Sequence, residues 1–223
     1  MKPRVPEGGA IVDDENTNVE EYSLYMKEKL GKEYRRFIKE VLDKIDPPLN
    51  AKVLEIGSGP GWIGIWLAKE RSDLLIDGLE PSSDMIRISN KNAKEEGVAE
   101  RVRYISGYVE KMEQIPDKQY DLIISNESLH HWVSPLEGFK EIARVLKASG
   151  KLLIRDGRRD LGLGGKFIVN VLGRILAGKM WKYWKSSLDA SYTPMEIRDF
   201  LKQIPDLNWV VKEDIMDISV VLV

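Results

Sequence analysis

A glycine-rich turn constrains this chain more than any other feature. Lys52 to Ile56 is a short, largely apolar run that passes into Gly57-Ser58-Gly59-Pro60-Gly61 and then into the helix-forming residues from Trp62 onward. A strand that enters a tight glycine turn and leaves as a helix is the opening of a crossover unit, which needs a parallel neighbour strand. Glycine suits the turn because it adopts positive φ without steric cost and lets a ligand approach the backbone. The spacing is G-x-G-x-G. A dinucleotide fingerprint, G-x-G-x-x-G, would put its third glycine at position 62, where Trp62 stands. Glu55 lies two residues before the first glycine. A carboxylate there is poorly suited to a pyrophosphate and well suited to an ammonium group.

The rest of the chain fits the same unit. Apolar runs at Lys52–Ile56, Leu74–Leu79, Val102–Ser106, Tyr120–Ser125 and Gly150–Arg155 read as strands, and 61–71, 83–96 and 135–147 between them have helical spacing. The predicted fold is α/β: a doubly wound, seven-stranded, mostly parallel sheet completed by a C-terminal antiparallel hairpin of Trp209–Val211 and Ile218–Val223. Residues 1–50 form an N-terminal helical cap, with two short helices between Val19 and Ile45 that break near Gly31. Residues 51–156 form the core. Residues 157–192 are an insertion whose centre, Phe167–Trp184, has helical spacing weakened by Gly173 and Gly178. Residues 193–223 return to the same domain. Ser134-Pro135-Leu136-Glu137 and Thr193-Pro194-Met195-Glu196 both read as capping boxes.

Composition narrows the chemistry. There is no cysteine among 223 residues, which excludes disulfides, thiolate metal sites and a cysteine nucleophile. A net charge of −2 argues against general nucleic-acid binding. Residues 151–187 carry nine basic side chains against Asp156 and Asp160. No apolar run is long enough for a membrane span and no secretory leader is evident, so the chain reads as soluble and cytoplasmic.

Val53-Leu54-Glu55-Ile56-Gly57-Ser58-Gly59-Pro60-Gly61, with Gly78-Leu79-Glu80-Pro81, Tyr120-Asp121-Leu122-Ile123-Ile124-Ser125-Asn126 and Ala143 to Leu152, resembles the successive motifs of class I S-adenosylmethionine-dependent methyltransferases. The resemblance is strong over about residues 50 to 155. It implies the Rossmann-like fold of that family and S-adenosyl-L-methionine as cofactor. Glu55, Gly57, Ser58, Gly59 and Gly61 would hold the methionine end, and Glu80 with Pro81 would meet the ribose, where a carboxylate can accept from both hydroxyls. Many relatives have Gly-Asp-Ala-Glu at the adenine station. This chain has Gly107-Tyr108-Val109-Glu110, so Tyr108 replaces the usual acid, with Val109 and Glu110 beside it. Asn126 ends the fourth station. Ser128-Leu129-His130-His131 and Ser191-Tyr192-Thr193-Pro194 are similar to segments of enzymes of quinone and related small-molecule methylation.

His130 and His131 are the only histidines, at the expected carboxyl edge of the sheet. Either could take a proton from the acceptor, or they could orient the loop. Glu127-x-x-His130-His131 is also similar to the E-x-x-E-H metal site of some quinone O-methyltransferases, although its second glutamate is missing. No metal is expected as a resident cofactor. The insertion reads as a helix packed beside the sheet, an acceptor lid or a membrane-surface contact. Tyr22, Tyr25, Trp132, Arg155, Arg158 and Tyr192 are the expected acceptor contacts, and the arginines point to a planar or anionic small molecule. The alternatives are a non-catalytic cofactor-binding or partner protein of the same fold and a metal-assisted O-methyltransferase, and the Asn-Pro-Pro-Tyr signature of nucleobase methylation is absent after Ser125.

Overall fold

The computed structural model describes residues 4–6, 18–167, 169 and 181–222. Seven strands form one sheet: β1 Lys52–Ile56, β2 Leu75–Glu80, β3 Val102–Ser106, β4 Tyr120–Asn126, β5 Leu146–Gly157, β6 Trp209–Glu213 and β7 Asp217–Leu222. Their order is β3-β2-β1-β4-β5-β7-β6. The first five run parallel, and β7 lies antiparallel to both β5 and β6. The described helices are α1 Val19–Lys29, α2 Gly31–Glu40, α3 Trp62–Glu70, α4 Ser83–Glu95, α5 Pro135–Val145, α6 Leu163–Phe167, α7 Trp181–Ala190 and α8 Pro194–Leu201. A wider turn, Val41–Ile45, prolongs α2 and stops at Asp46, whose φ is 50°. Among the described residues no helix is long and apolar enough to cross a membrane.

Both faces of the sheet are covered, and strand periodicity explains how. Side chains alternate, so Val53, Leu122, Ile124, Leu153 and Val221 pack on one face with Phe37 and Ile38 of α2 and Ile65 and Leu67 of α3. Leu54, Ile56, Ile123, Leu152, Ile154 and Val220 pack on the other with Phe139 and Ile142 of α5 and Ile197 and Leu201 of α8. Near-continuous apolar strands are what two-sided burial requires. The strand order reverses between β1 and β4, so the loops after these strands diverge and leave a crevice at their carboxyl ends.

Several local expectations need correction. β5 starts at Leu146 rather than Gly150, because Leu146 pairs with Tyr120 ahead of a register shift. Ser134 does not form a capping box: its side chain makes no cap, and Glu137 instead pairs with Lys140 at 2.8 Å. The carboxylate of Glu110 accepts from the amides of Val133 and Ser134 at 2.7 and 3.2 Å, just ahead of α5. At α8 the capping box does form, with Thr193 and Glu196 satisfying each other's backbone amides. Most of the insertion's centre, including positions 168, 171, 172, 175 and 176, lies outside the described residues. Its flanks are helical as α6 and α7.

Candidate cofactor and acceptor site

The crevice after β1, β2 and β4 opens into a cavity of about 410 Å³. The glycine turn forms one wall. Gly57, Gly59 and Gly61 have φ of 68°, 50° and 82°, which bends the chain from β1 into α3. A methyl group added at Gly59 would meet nothing within 4 Å, so the backbone there borders open cavity space rather than packed protein. Ser58 lines the same wall, and its buried Oγ has no hydrogen-bond partner among the described residues.

Two acids stand on either side of this turn. Glu55 on β1 is buried, and its Oε2 accepts from the amide of Gly64 in the first turn of α3 at 3.0 Å. Burial disfavours its charge, and the nearby Glu80 carboxylate adds repulsion, so its pKa is pushed up to about 8 despite the Gly64 amide. Glu80, at the end of β2, accepts from the amide of Gly59 at 2.9 Å and that of Ser82 at 3.0 Å. One carboxylate thus ties the glycine turn to the start of α4.

Pro81, Tyr108, Val109 and Glu110 line the cavity beyond Glu80. Tyr108 is 63% exposed, so its ring stands over the opening rather than in the core. Asn126, Glu127, Ser128, His131 and Trp132 line the wall that follows β4, and Tyr22 closes the side toward α1. Met26, Tyr34, Trp62 and Met85 also line the cavity, and none was among the site residues expected from the sequence.

Other expected acceptor contacts are not brought to this cavity. Tyr25 is absent from its lining. Arg155 donates to Asn126 Oδ1 at 3.0 Å, lies 3.7 Å from Glu40 and stacks over Phe37, so it braces the end of β4 from behind. Arg158 grips Asp160 and Glu213 toward the C-terminal hairpin. Arg159 pairs with Glu196. Tyr192 is buried; its hydroxyl donates to the Trp132 carbonyl at 3.3 Å and Arg4 lies 4.2 Å over its ring. Tyr192 and Arg4 brace the loop that carries the histidines, whereas Arg158 and Arg159 are engaged toward the C-terminal hairpin and α8.

The two histidines differ. His130 is buried behind the wall; its Nδ1 is 2.8 Å from Asp156 Oδ1, and its backbone amide donates to Asp156 Oδ2 at 2.9 Å. Its carbonyl accepts from Arg4 at 2.7 Å. His131, with its ring centroid 4.1 Å from that of His130, is the one that lines the cavity. Donor atoms of Glu127, His130 and Asp156 lie within 4.8 Å of one another, whereas His131 is outside this group. Both Asp156 oxygens already accept from backbone amides, those of His130 and Gly157. That arrangement is a hydrogen-bonded carboxylate–imidazole pair with Glu127 beside it.

The chain matches known proteins in the same region. A family model described as "Methyltransferase domain" matches residues 54–154. "Uncharacterized methyltransferase YdaC" of Bacillus subtilis is 32% identical over 108 residues, 48% of this chain and 57% of that protein. A malonyl-[acyl-carrier protein] O-methyltransferase of Halalkalibacterium halodurans is 27% identical over 158 residues, 66% of this chain and 57% of the relative. The chain thus spans little more than half the length of these curated relatives. Among solved structures, a putative S-adenosyl-L-methionine-dependent methyltransferase from Methanococcus maripaludis superposes with a TM-score of 0.75 at 22% identity, over 96% of each chain, and shares the fold.

Proposed function

We propose that the chain is a class I S-adenosylmethionine-dependent methyltransferase that moves a methyl group from S-adenosyl-L-methionine to a small-molecule acceptor bound in the same cavity. The observation that carries this reading is the pairing of two carboxylates across one glycine turn, Glu55 under it and Glu80 clamped to its Gly59 amide. Glu55 would receive the ammonium of the methionine end, and an opposite charge there relieves the burial that raises its pKa. The unpartnered Ser58 Oγ and the open space at Gly59 fit a polar ligand lying along the turn. Glu80 would accept from the ribose hydroxyls while keeping its two amides. Tyr108 and Val109 flank the adenine end.

When bound, the cofactor supplies an electrophilic methyl group on a sulfonium. The protein's share is alignment, exclusion of water and disposal of a proton. Trp132, Tyr22, Tyr34 and Trp62 contribute aromatic side chains to the wall, which would limit water around the reacting atoms. His131 would take the proton leaving the acceptor. The electron pair so freed forms the new bond to the methyl carbon, and the pair of the broken S–CH3 bond stays on sulfur. His130 would act at one remove, fixed by Asp156, in positioning its neighbour.

The test is release of S-adenosylhomocysteine, followed by mass spectrometry, when amines, hydroxyl compounds and thiols are offered with S-adenosylmethionine. Acceptor-dependent release that falls in His131→Ala supports the reading. A protein that binds the cofactor but stays inert across the panel would favour a cofactor-binding role without catalysis.

A further inference from the structure

We infer that the acceptor is an amine, received in its ammonium form by the carboxylate of Glu127; this rests on the methyl-transfer reading above. Among the described residues the cavity wall carries no lysine or arginine, whereas Glu55, Glu80, Glu110 and Glu127 all reach it. Glu55 and Glu80 belong to the proposed cofactor end, and Glu110 is engaged by the amides of Val133 and Ser134. Glu127 is the acid left on the acceptor side, next to His131 and Trp132.

Its local structure aims it there. Glu127 follows the last residue of β4 with φ 55°, a left-handed conformation that is strained for a residue with a β-carbon, and its amide is fixed to the Arg155 carbonyl at 2.8 Å. The charged groups around it are Asp156 and Asp217, which repel its charge, and His130 and Arg155, which favour it. Arg155 is already bonded to Asn126 and paired with Glu40. Glu127 is exposed to the cavity, and the protein walls behind it together with Asp156 push its pKa up. It is a carboxylate short of counter-charge, as Glu55 is. An entering ammonium supplies that charge, and the aromatic faces of Trp132, Tyr22 and Tyr34 favour a cation further. An anionic acceptor would face the wall's carboxylates, and Arg155, Arg158 and Arg159 are engaged with Glu40, Asp160 and Glu196.

Phenethylamine and hydrocinnamate test this, since they share a ring and a two-carbon spacer and differ in the sign of charge. Each is titrated calorimetrically into full-length protein loaded with S-adenosylhomocysteine, for wild type, Glu127→Gln and Glu127→Asp, with melting temperature recorded for all three. The inference expects the amine to bind and hydrocinnamate not to. It expects Glu127→Gln to weaken the amine by about tenfold or more, the scale of one charge-assisted hydrogen bond, and Glu127→Asp to keep part of the affinity. S-adenosylhomocysteine should bind all three alike. Tighter hydrocinnamate binding, or amine affinity unchanged in both folded variants, overturns the inference. So does a magnesium-dependent rise in melting temperature that needs Glu127 and abolishes amine binding. Loss of S-adenosylhomocysteine binding by the wild type would instead sink the methyl-transfer reading itself.

Discussion

The amide of Gly64 donates to Glu55 Oε2 at 3.0 Å, and a methyl group on Gly64 would lie 2.5 Å from that same oxygen. Helix α3 therefore has to present a bare backbone at this point for the carboxylate to rest against its first turn. Ile76 closes the other side, 3.2 Å from the same added carbon. Gly64→Ala should displace Glu55 and weaken S-adenosylhomocysteine binding by about tenfold or more, the loss of one hydrogen bond to a charged group. Calorimetry checks it; an unchanged affinity would separate Glu55 from the cofactor.

Glu55 also predicts a pH dependence. With its pKa near 8 in the free protein, it is mostly protonated at pH 7. An arriving ammonium favours the carboxylate, so binding should expel a proton, and affinity should rise as pH climbs from 6 toward 8. Titrations at pH 7 in two buffers of different ionisation enthalpy count that proton. Wild type should release a measurable fraction of one proton and Glu55→Gln none from this site; equal counts would refute the assignment.

Glu80→Ala should cost about 2 kcal/mol of cofactor affinity, within the range for hydrogen bonds to a charged group. Because the same carboxylate holds the amides of Gly59 and Ser82, the melting temperature of the cofactor-free variant should fall too. A variant with full affinity removes Glu80 from the ribose.

The histidines should separate by stability. His130→Ala leaves buried Asp156 without its imidazole and should lower stability by about 1–3 kcal/mol, the penalty for an unsatisfied buried group. His131→Ala should cost less stability than that, because its side chain is exposed on the cavity wall, while losing turnover. Thermal denaturation compares them directly; equal destabilisation would mean that both serve only the loop.

What the sequence made legible follows from what is local. The strand–turn–helix at Glu55 to Trp62 and the capping box at Thr193 are short-range patterns, and both appear where their spacing places them. The histidine loop is different. Its two histidines are adjacent in sequence, yet one turns inward to Asp156 and the other lines the cavity, because Asp156 comes from β5, 26 residues away. The partners of the arginines are distant too. Nothing beside Arg155 or Arg158 in the chain announces Glu40 or Glu213, and neither arginine lines the cavity. Ser134 lost its expected cap to Glu110, which lies 24 residues earlier. Gly64 could have been noticed: it extends the glycine series by three residues beyond Gly61, and a short helix rarely tolerates glycine in its interior without a packing reason.

The most direct measurement is a calorimetric comparison of S-adenosylhomocysteine and NAD⁺ on wild type and Gly59→Val. Valine at position 59 would put a branched side chain at φ 50° into the cavity. The account predicts saturable S-adenosylhomocysteine binding by wild type, none by Gly59→Val, and no NAD⁺ binding by either. Saturable NAD⁺ binding with no response to S-adenosylhomocysteine would contradict it.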